Sequence, residues 1–140
     1  EISSAIQPEF WDHIKGNTDS EHLFGLWLSS LGVTGKIHFT LDDQVEALQK
    51  TISLLETIAA RLYLDMVLNI GITDGNDIIV TRYHFGKRKA TLYYIENSTA
   101  FPGSTIIASE KLDDDANWKP VPEKSIVTIN EENKLTILPL

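Results

Sequence analysis

The sequence predicts an α+β chain in which two helices are followed by about six mostly antiparallel strands, and three observations carry that prediction. Apolar residues recur at helical spacing up to about Leu64, β-branched residues take over from Asp65, and the later segments are punctuated by glycine, proline, asparagine and aspartate. No repeat, low-complexity stretch or linker interrupts the 140 residues. They therefore read as one continuous unit of single-domain size.

The first helix is predicted from Asp19 to about Leu31. Thr18 and Glu21 have the spacing of a capping box, in which the threonine oxygen accepts from a free backbone N–H and the glutamate reaches back to the threonine N–H. Leu23, Phe24, Trp27, Leu28 and Leu31 then mark one apolar face, and Gly32 stops the run. A second helix is expected to start near Asp42, with Leu41 before it, and to reach about Tyr63. Its apolar stripe is Val45, Leu48, Ile52, Leu55, Ala59 and Leu62, while Asp43, Glu46, Gln49, Lys50 and Glu56 take the other sides. Gly32 to Thr40, with Gly32 and Gly35, suits a connection between antiparallel neighbours. The aromatic residues of both helices, Phe24 and Trp27 included, are expected in the core.

Strands are predicted at Met66–Ile72, Ile78–Arg82, Thr91–Ile95, Thr105–Ser109, Ser125–Asn130 and Lys134–Leu138. Thr73-Asp74-Gly75-Asn76 joins the first two as a hairpin, since Asp and Gly both tolerate positive φ. Glu131, Glu132 and Asn133 form the last turn. Pro102, Gly103, Pro120 and Pro122 are expected between strands, where a missing donor or a free φ costs little.

Composition narrows the function. Twelve Lys plus Arg against twenty Asp plus Glu leave a net charge of -8, which repels nucleic-acid phosphate. The basic cluster Lys87, Arg88 and Lys89 is too short to offset it. The longest apolar stretches, Met66–Ile72 and Thr105–Ala108, fall far short of the ~20 residues that cross a bilayer, and no basic start leads into an apolar core. Neither a nucleic-acid partner nor a membrane is expected. Zero cysteines remove disulfides, thiolate metal sites and a cysteine nucleophile from these residues.

Most other chemistry is poorly supported. His13, His22, His38 and His84 lack the spacing of a zinc site, so no metal is expected. Asp113, Asp114 and Asp115 lack the alternating ligands of a calcium loop and read as a solvated turn. No Gly-x-Ser-x-Gly or phosphate-binding glycine loop occurs, and Ser109-Glu110 has no histidine nearby in sequence. The segment Gly16-Asn17-Thr18-Asp19-Ser20-Glu21-His22 has a structural reading as a glycine turn into a capped helix. Asp19 stands apart within it. Thr18 and Glu21 already supply the cap, so the Asp19 carboxylate is free to project from the first turn, where the helix dipole favours an anion. That position suits a ligand's ammonium group.

The same segment resembles a known family. Gly16 to Phe24, GNTDSEHLF, is similar to the signature of class II glutamine amidotransferases, in particular the branch related to the fungal glutathione-degrading amidotransferase subunit. Two further stretches agree in order. They are NIGITDGNDIIVTRY, within Leu68–Tyr83, and IIASEKLDDDANWKPVPEKSIVTI, Ile106–Ile129. The sequence departs from the family at Lys111, where a proline is common, and in the short basic loop Gly86–Lys89.

The resemblance implies an N-terminal-nucleophile hydrolase sandwich, with two antiparallel sheets stacked between helical layers. It implies that a cysteine exposed at a mature N-terminus attacks a glutamine or γ-glutamyl amide, with its own α-amino group as base and a thioester as intermediate. An upstream Asn-Gly pair forms the oxyanion hole, an upstream arginine holds the substrate carboxylate, and the TDSE aspartate, here Asp19, binds the substrate α-amino group. No cofactor is implied, and the setting is cytoplasmic.

The chain carries the last of these parts and lacks the cysteine. Gly16-Asn17 and Gly75-Asn76 run the wrong way for the oxyanion pair, and Arg61, Arg82 and Arg88 all follow the TDSE segment instead of preceding it. Residues 1–140 are therefore expected to be the C-terminal part of a single amidotransferase domain. Their partner is the missing N-terminal half or a partner subunit, and their ligand a γ-glutamyl small molecule. The alternative is a non-catalytic interaction module of the same fold that uses exposed strands to bind a partner. A half-domain would leave sheet edges uncovered, which favours aggregation or pairing with another chain.

Overall fold

A computed structural model describes residues 2–32 and 38–140, and the chain divides into two units, Glu1–Leu64 and Asp65–Leu140. Gly35 of the expected helix connection lies outside the described residues. The first unit contains α1 (Ile2–Ala5), a 3₁₀ turn (Pro8–His13), α2 (Asp19–Leu31) and α3 (Leu41–Leu62). Sequence periodicity misses the first two because they span only four and six residues, too short to establish a repeat.

Helix α2 has the predicted bounds because both of its ends are set by neighbouring residues. Thr18 and Glu21 complete the reciprocal cap, and Gly32 adopts the left-handed conformation at φ 63°. Its buried side differs from the expected one. Gly25, Leu26, Trp27 and Ser29 are buried, whereas Phe24 is 50% exposed, its ring tilted against Trp27 at a centroid distance of 5.6 Å. Small residues turn that side inward, since a Cβ added at Gly25 would lie 3.0 Å from Ile14 Cδ1. Ser29 Oγ also accepts from Gln7 N at 2.9 Å, and the Trp27 indole N–H donates to the Gln44 carbonyl of α3 at 3.3 Å.

Helix α3 begins one residue before the expected start because Thr40 and Asp43 form a second capping box. Val45, Leu48, Ile52, Leu55 and Ala59 are buried as predicted, but Leu62 is 45% exposed. It sits in the last turn, one residue before Tyr63 ends the helix in the left-handed region at φ 55°. No helix among the described residues is long and apolar enough to cross a membrane.

The second unit holds eight strands among the described residues: β1 (Met66–Leu68), β2 (Gly71–Thr73), β3 (Ile78–Phe85), β4 (Tyr93–Glu96), β5 (Thr105–Ala108), β6 (Lys119–Pro120), β7 (Ser125–Ile129) and β8 (Leu135–Pro139). One sheet runs β1-β3-β7-β8 with β2 also paired to β3, and the other runs β5-β4-β6. Every pairing is antiparallel. The predicted strand Met66–Ile72 is broken into β1 and β2. The Thr81 hydroxyl enters the break, donating to Leu68 O at 2.7 Å and accepting from Ile70 N at 3.0 Å.

The β2–β3 hairpin forms across Thr73–Ile78, but only Gly75 of the Asp-Gly pair takes positive φ, at 99°. Asp74 acts through its side chain instead, accepting from the backbone N–H of Asn76 and Asp77 at 3.0 and 2.9 Å. Pro120 lies within β6 and not between strands. That strand is at a sheet edge, where a residue without an N–H is tolerated. The two sheets meet through Val80, Val127, Leu135 and Ile137 of one and Leu92, Tyr94, Ile107 and Val121 on the other side. Burying this apolar layer is the dominant favourable term in forming the unit.

The acidic run serves as turn chemistry. Asp113 Oδ1 accepts from the Trp118 indole N–H at 2.7 Å. Asp115 accepts from the backbone N–H groups of Asn117 and Thr99, and these bonds hold its carboxyl below the usual range.

Candidate functional site

The segment before α2 is organised around one carboxylate. Glu21 Oε1 accepts from the backbone N–H of Gly16 at 2.9 Å and of Lys15 at 3.2 Å. Its Oε2 accepts from the Thr18 hydroxyl at 2.9 Å and the Thr18 backbone N–H at 3.4 Å. The same hydroxyl oxygen accepts from Glu21 N at 3.3 Å. A Cβ at Gly16 would lie 2.5 Å from Glu21 Oε2, so a larger residue there would displace the carboxylate from this network.

The Thr18 hydroxyl bond, followed by the Gly16 and Thr18 N–H bonds, holds the Glu21 carboxyl below its ordinary value of 4.5. A carboxyl with a lowered folded pKa contributes stability that is complete above its unfolded pKa and is lost as pH falls through the folded one. Thermal melts of wild type and Glu21→Gln, taken from about pH 6 to about pH 3, should therefore converge on acidification. A gap that stays constant across that range would mean the cap does not depend on the charge.

With the cap complete, Asp19 at the first position of α2 has no capping duty. It lines a cavity of about 330 Å³ together with Asn17, His22, Ser3, Ile2, Ile58, Leu62 and Leu64. Helix α2 and the turn before it supply the polar side, and the last turn of α3 with Leu64 supplies apolar wall. This accounts for Leu62, which belongs to the cavity rim and not to the core. The lining has one carboxylate and no lysine or arginine, so it can pair a cation and leaves a substrate carboxylate to be matched elsewhere. His22 Nδ1 lies 3.0 Å from the Thr18 carbonyl oxygen, and its ring meets Trp11 edge to face at 6.0 Å. Sequence reasoning found Asp19 from its motif. It missed the apolar partners, since Ile2 and Ile58 are far from residue 19 in sequence.

The remaining candidates lie apart from this cavity's lining. His13 ends the 3₁₀ turn, His38 is exposed outside any helix or strand, and His84 on β3 has Nε2 3.9 Å from Glu123 Oε2. Among the described residues no group of three His, Cys, Asp or Glu could hold a metal. Arg82 is the unanticipated residue. Its side chain is only 14% exposed, and its guanidinium donates to the carbonyls of Ala90 and Val121. The available signal was a cation in an alternating strand, two residues beyond the inward-facing Val80.

An α+β fold of antiparallel sheets, with a capped TDSE helix presenting one carboxylate to a cavity, makes the chain similar to the C-terminal half of a class II glutamine amidotransferase domain. No family model matches the chain. Among curated proteins it resembles the probable glutamine amidotransferase DUG3 of Saccharomyces cerevisiae, 28% identical over 160 aligned residues that cover 93% of this chain and 45% of the yeast protein. Among solved structures it resembles a glutamine aminotransferase class-II domain protein from Silicibacter pomeroyi. That likeness has a TM-score of 0.75 and 29% identity, and covers 99% of this chain and 59% of the bacterial one. The chain thus spans about half the length of both.

Proposed function

We propose that residues 1–140 form the C-terminal part of a single class II amidotransferase domain that hydrolyses a γ-glutamyl amide, with Asp19 binding the substrate's α-amino group. The observation that carries this reading is the Asp19 carboxylate on a cavity whose lining contains no cation. An ammonium group gains a charge-assisted contact there.

The reaction needs a nucleophile that this cysteine-free chain does not contain. In the proposed complete enzyme, an N-terminal cysteine from the other half attacks the γ-carbonyl carbon, and its α-amino group takes the thiol proton and delivers it to the leaving nitrogen. Water then hydrolyses the thioester to release glutamate. This chain's part is to anchor the substrate so that its γ-carbonyl is held toward that cysteine. The donor class is glutamine or a glutathione-type γ-glutamyl compound, in keeping with the glutamine amidotransferase named above. The location assigned to the enzyme is cytoplasmic, on the strength of the family resemblance.

The test is glutamate release from glutamine and from glutathione. The purified 140 residues should release none above blank, and activity should appear when a cysteine-bearing N-terminal half is supplied, fused or in trans. Glutamate release by the 140 residues alone would sink the proposal. Reading the upstream coding region for a Met-Cys start and an Asn-Gly pair separates the enzyme from a non-catalytic module.

A further inference from the structure

We propose that His22 is a second acceptor for the substrate ammonium group, sharing it with Asp19 and setting the selectivity of the cavity for amines. The inference rests on the reading of Asp19 given above and adds a residue to it.

The argument starts from the tautomer. His22 Nδ1 lies 3.0 Å from the Thr18 carbonyl oxygen. A carbonyl oxygen can only accept, so Nδ1 carries a proton and its donor is used by Thr18, which leaves Nε2 as the one ring nitrogen able to accept. The imidazole is held from two further directions. His22 is the fourth residue of α2, one turn beyond the cap, and the edge-to-face contact with Trp11 places the two ring planes at 80°. A ring fixed in this way lines the same cavity as Asp19.

An ammonium group carries three N–H donors, more than one carboxylate oxygen accepts, and the apolar wall of Ile2, Ile58, Leu62 and Leu64 supplies no further acceptor. A neutral nitrogen acceptor adds a second hydrogen bond without a second negative charge, so a group lacking the amine gains nothing from it. Asn17 and Ser3 on the same lining offer a donor as well as an acceptor and do not discriminate in this manner. Selectivity for the amine therefore rests on the Asp19 carboxylate paired with His22 Nε2, whose ring donor is already taken by the Thr18 carbonyl.

The experiment uses the full-length protein as its gene encodes it, with histidine labelled by ¹⁵N, and compares L-glutamate with glutarate, which lacks only the α-amino group. In the wild type, His22 Nε2 should resonate as an unprotonated nitrogen and shift on titration with L-glutamate but not with glutarate. His22→Phe should weaken L-glutamate binding about tenfold, the effect of losing one hydrogen bond to a charged group, and leave glutarate binding unchanged. His22→Gln, which restores an acceptor, should recover part of the loss. A proton found on Nε2 of the wild-type protein overturns the inference whether or not the variants fold. So does undiminished L-glutamate binding in His22→Phe, and if Asp19→Asn still weakens binding in that case, the Asp19 reading stands alone. If neither variant changes L-glutamate binding, both readings fall.

Discussion

Asp19→Asn in the complete enzyme should raise KM for a γ-glutamyl substrate about thirtyfold, with kcat little changed, because the substitution removes a charge and keeps the shape. A charge-assisted hydrogen bond contributes roughly 2 kcal/mol, and each ~1.4 kcal/mol is a factor of ten in binding. An interaction made equally in the bound substrate and the transition state appears in KM alone. The α-amino group lies away from the scissile amide, so the contact proposed for Asp19 would fall in that class. Stability should hardly respond, since the cap of α2 is completed by Thr18 and Glu21. Glu21→Gln is the matching control, because it alters the cap without touching the cavity lining. A normal KM with a lowered melting temperature in Asp19→Asn would return the residue to a structural role.

The same region shows which parts of the fold were legible in the sequence. Both ends of α2 are set by residues within three positions of the boundary, so Asp19–Leu31 could be read directly. The start of α3 needed recognition of Thr40 with Asp43, a box with aspartate in place of the more familiar glutamate. The break between β1 and β2 was out of reach, because the group that enters it is the hydroxyl of Thr81, more than ten residues away. Phe24 was misassigned for a related reason. Periodicity says that α2 has an apolar side, but Gly25 and Ser29 face inward only because Ile14 and Gln7 approach there.

The site divides along the same line. The motif places Asp19 and the capping residues within one short segment, whereas the opposite wall of the cavity comes from the end of α3 and from Ile2. Such a wall is a product of packing between segments, and no local pattern announces it. The resemblance to amidotransferases entered through the local half, which is why it named one binding residue and no cavity.

Arg82→Met should have the largest effect on stability, about 3 kcal/mol, and should lower the melting temperature by roughly 10 °C. Arg82 Nε donates to the Ala90 carbonyl at 2.9 Å, Nη1 donates to the Val121 carbonyl, and Nη2 lies 3.8 Å from Glu123 Oε1. Ala90 and Val121 are at most 2% exposed, so water does not readily replace a lost donor. Methionine has similar length and greater hydrophobicity, and it would compensate if Arg82 acted by filling space. It cannot if Arg82 acts by donating to carbonyls of two chain segments that lie on either side of β4 in the sequence. Lysine discriminates further. It keeps the charge near Glu123, to which His84 and Lys89 also lie within 3.9 Å, but a single ammonium lacks the planar fork that reaches two carbonyls in fixed directions. Arg82→Lys should therefore recover less than half of the loss. Full stability in the lysine variant would assign the residue's role to charge near Glu123, and full stability in the methionine variant would assign it to packing.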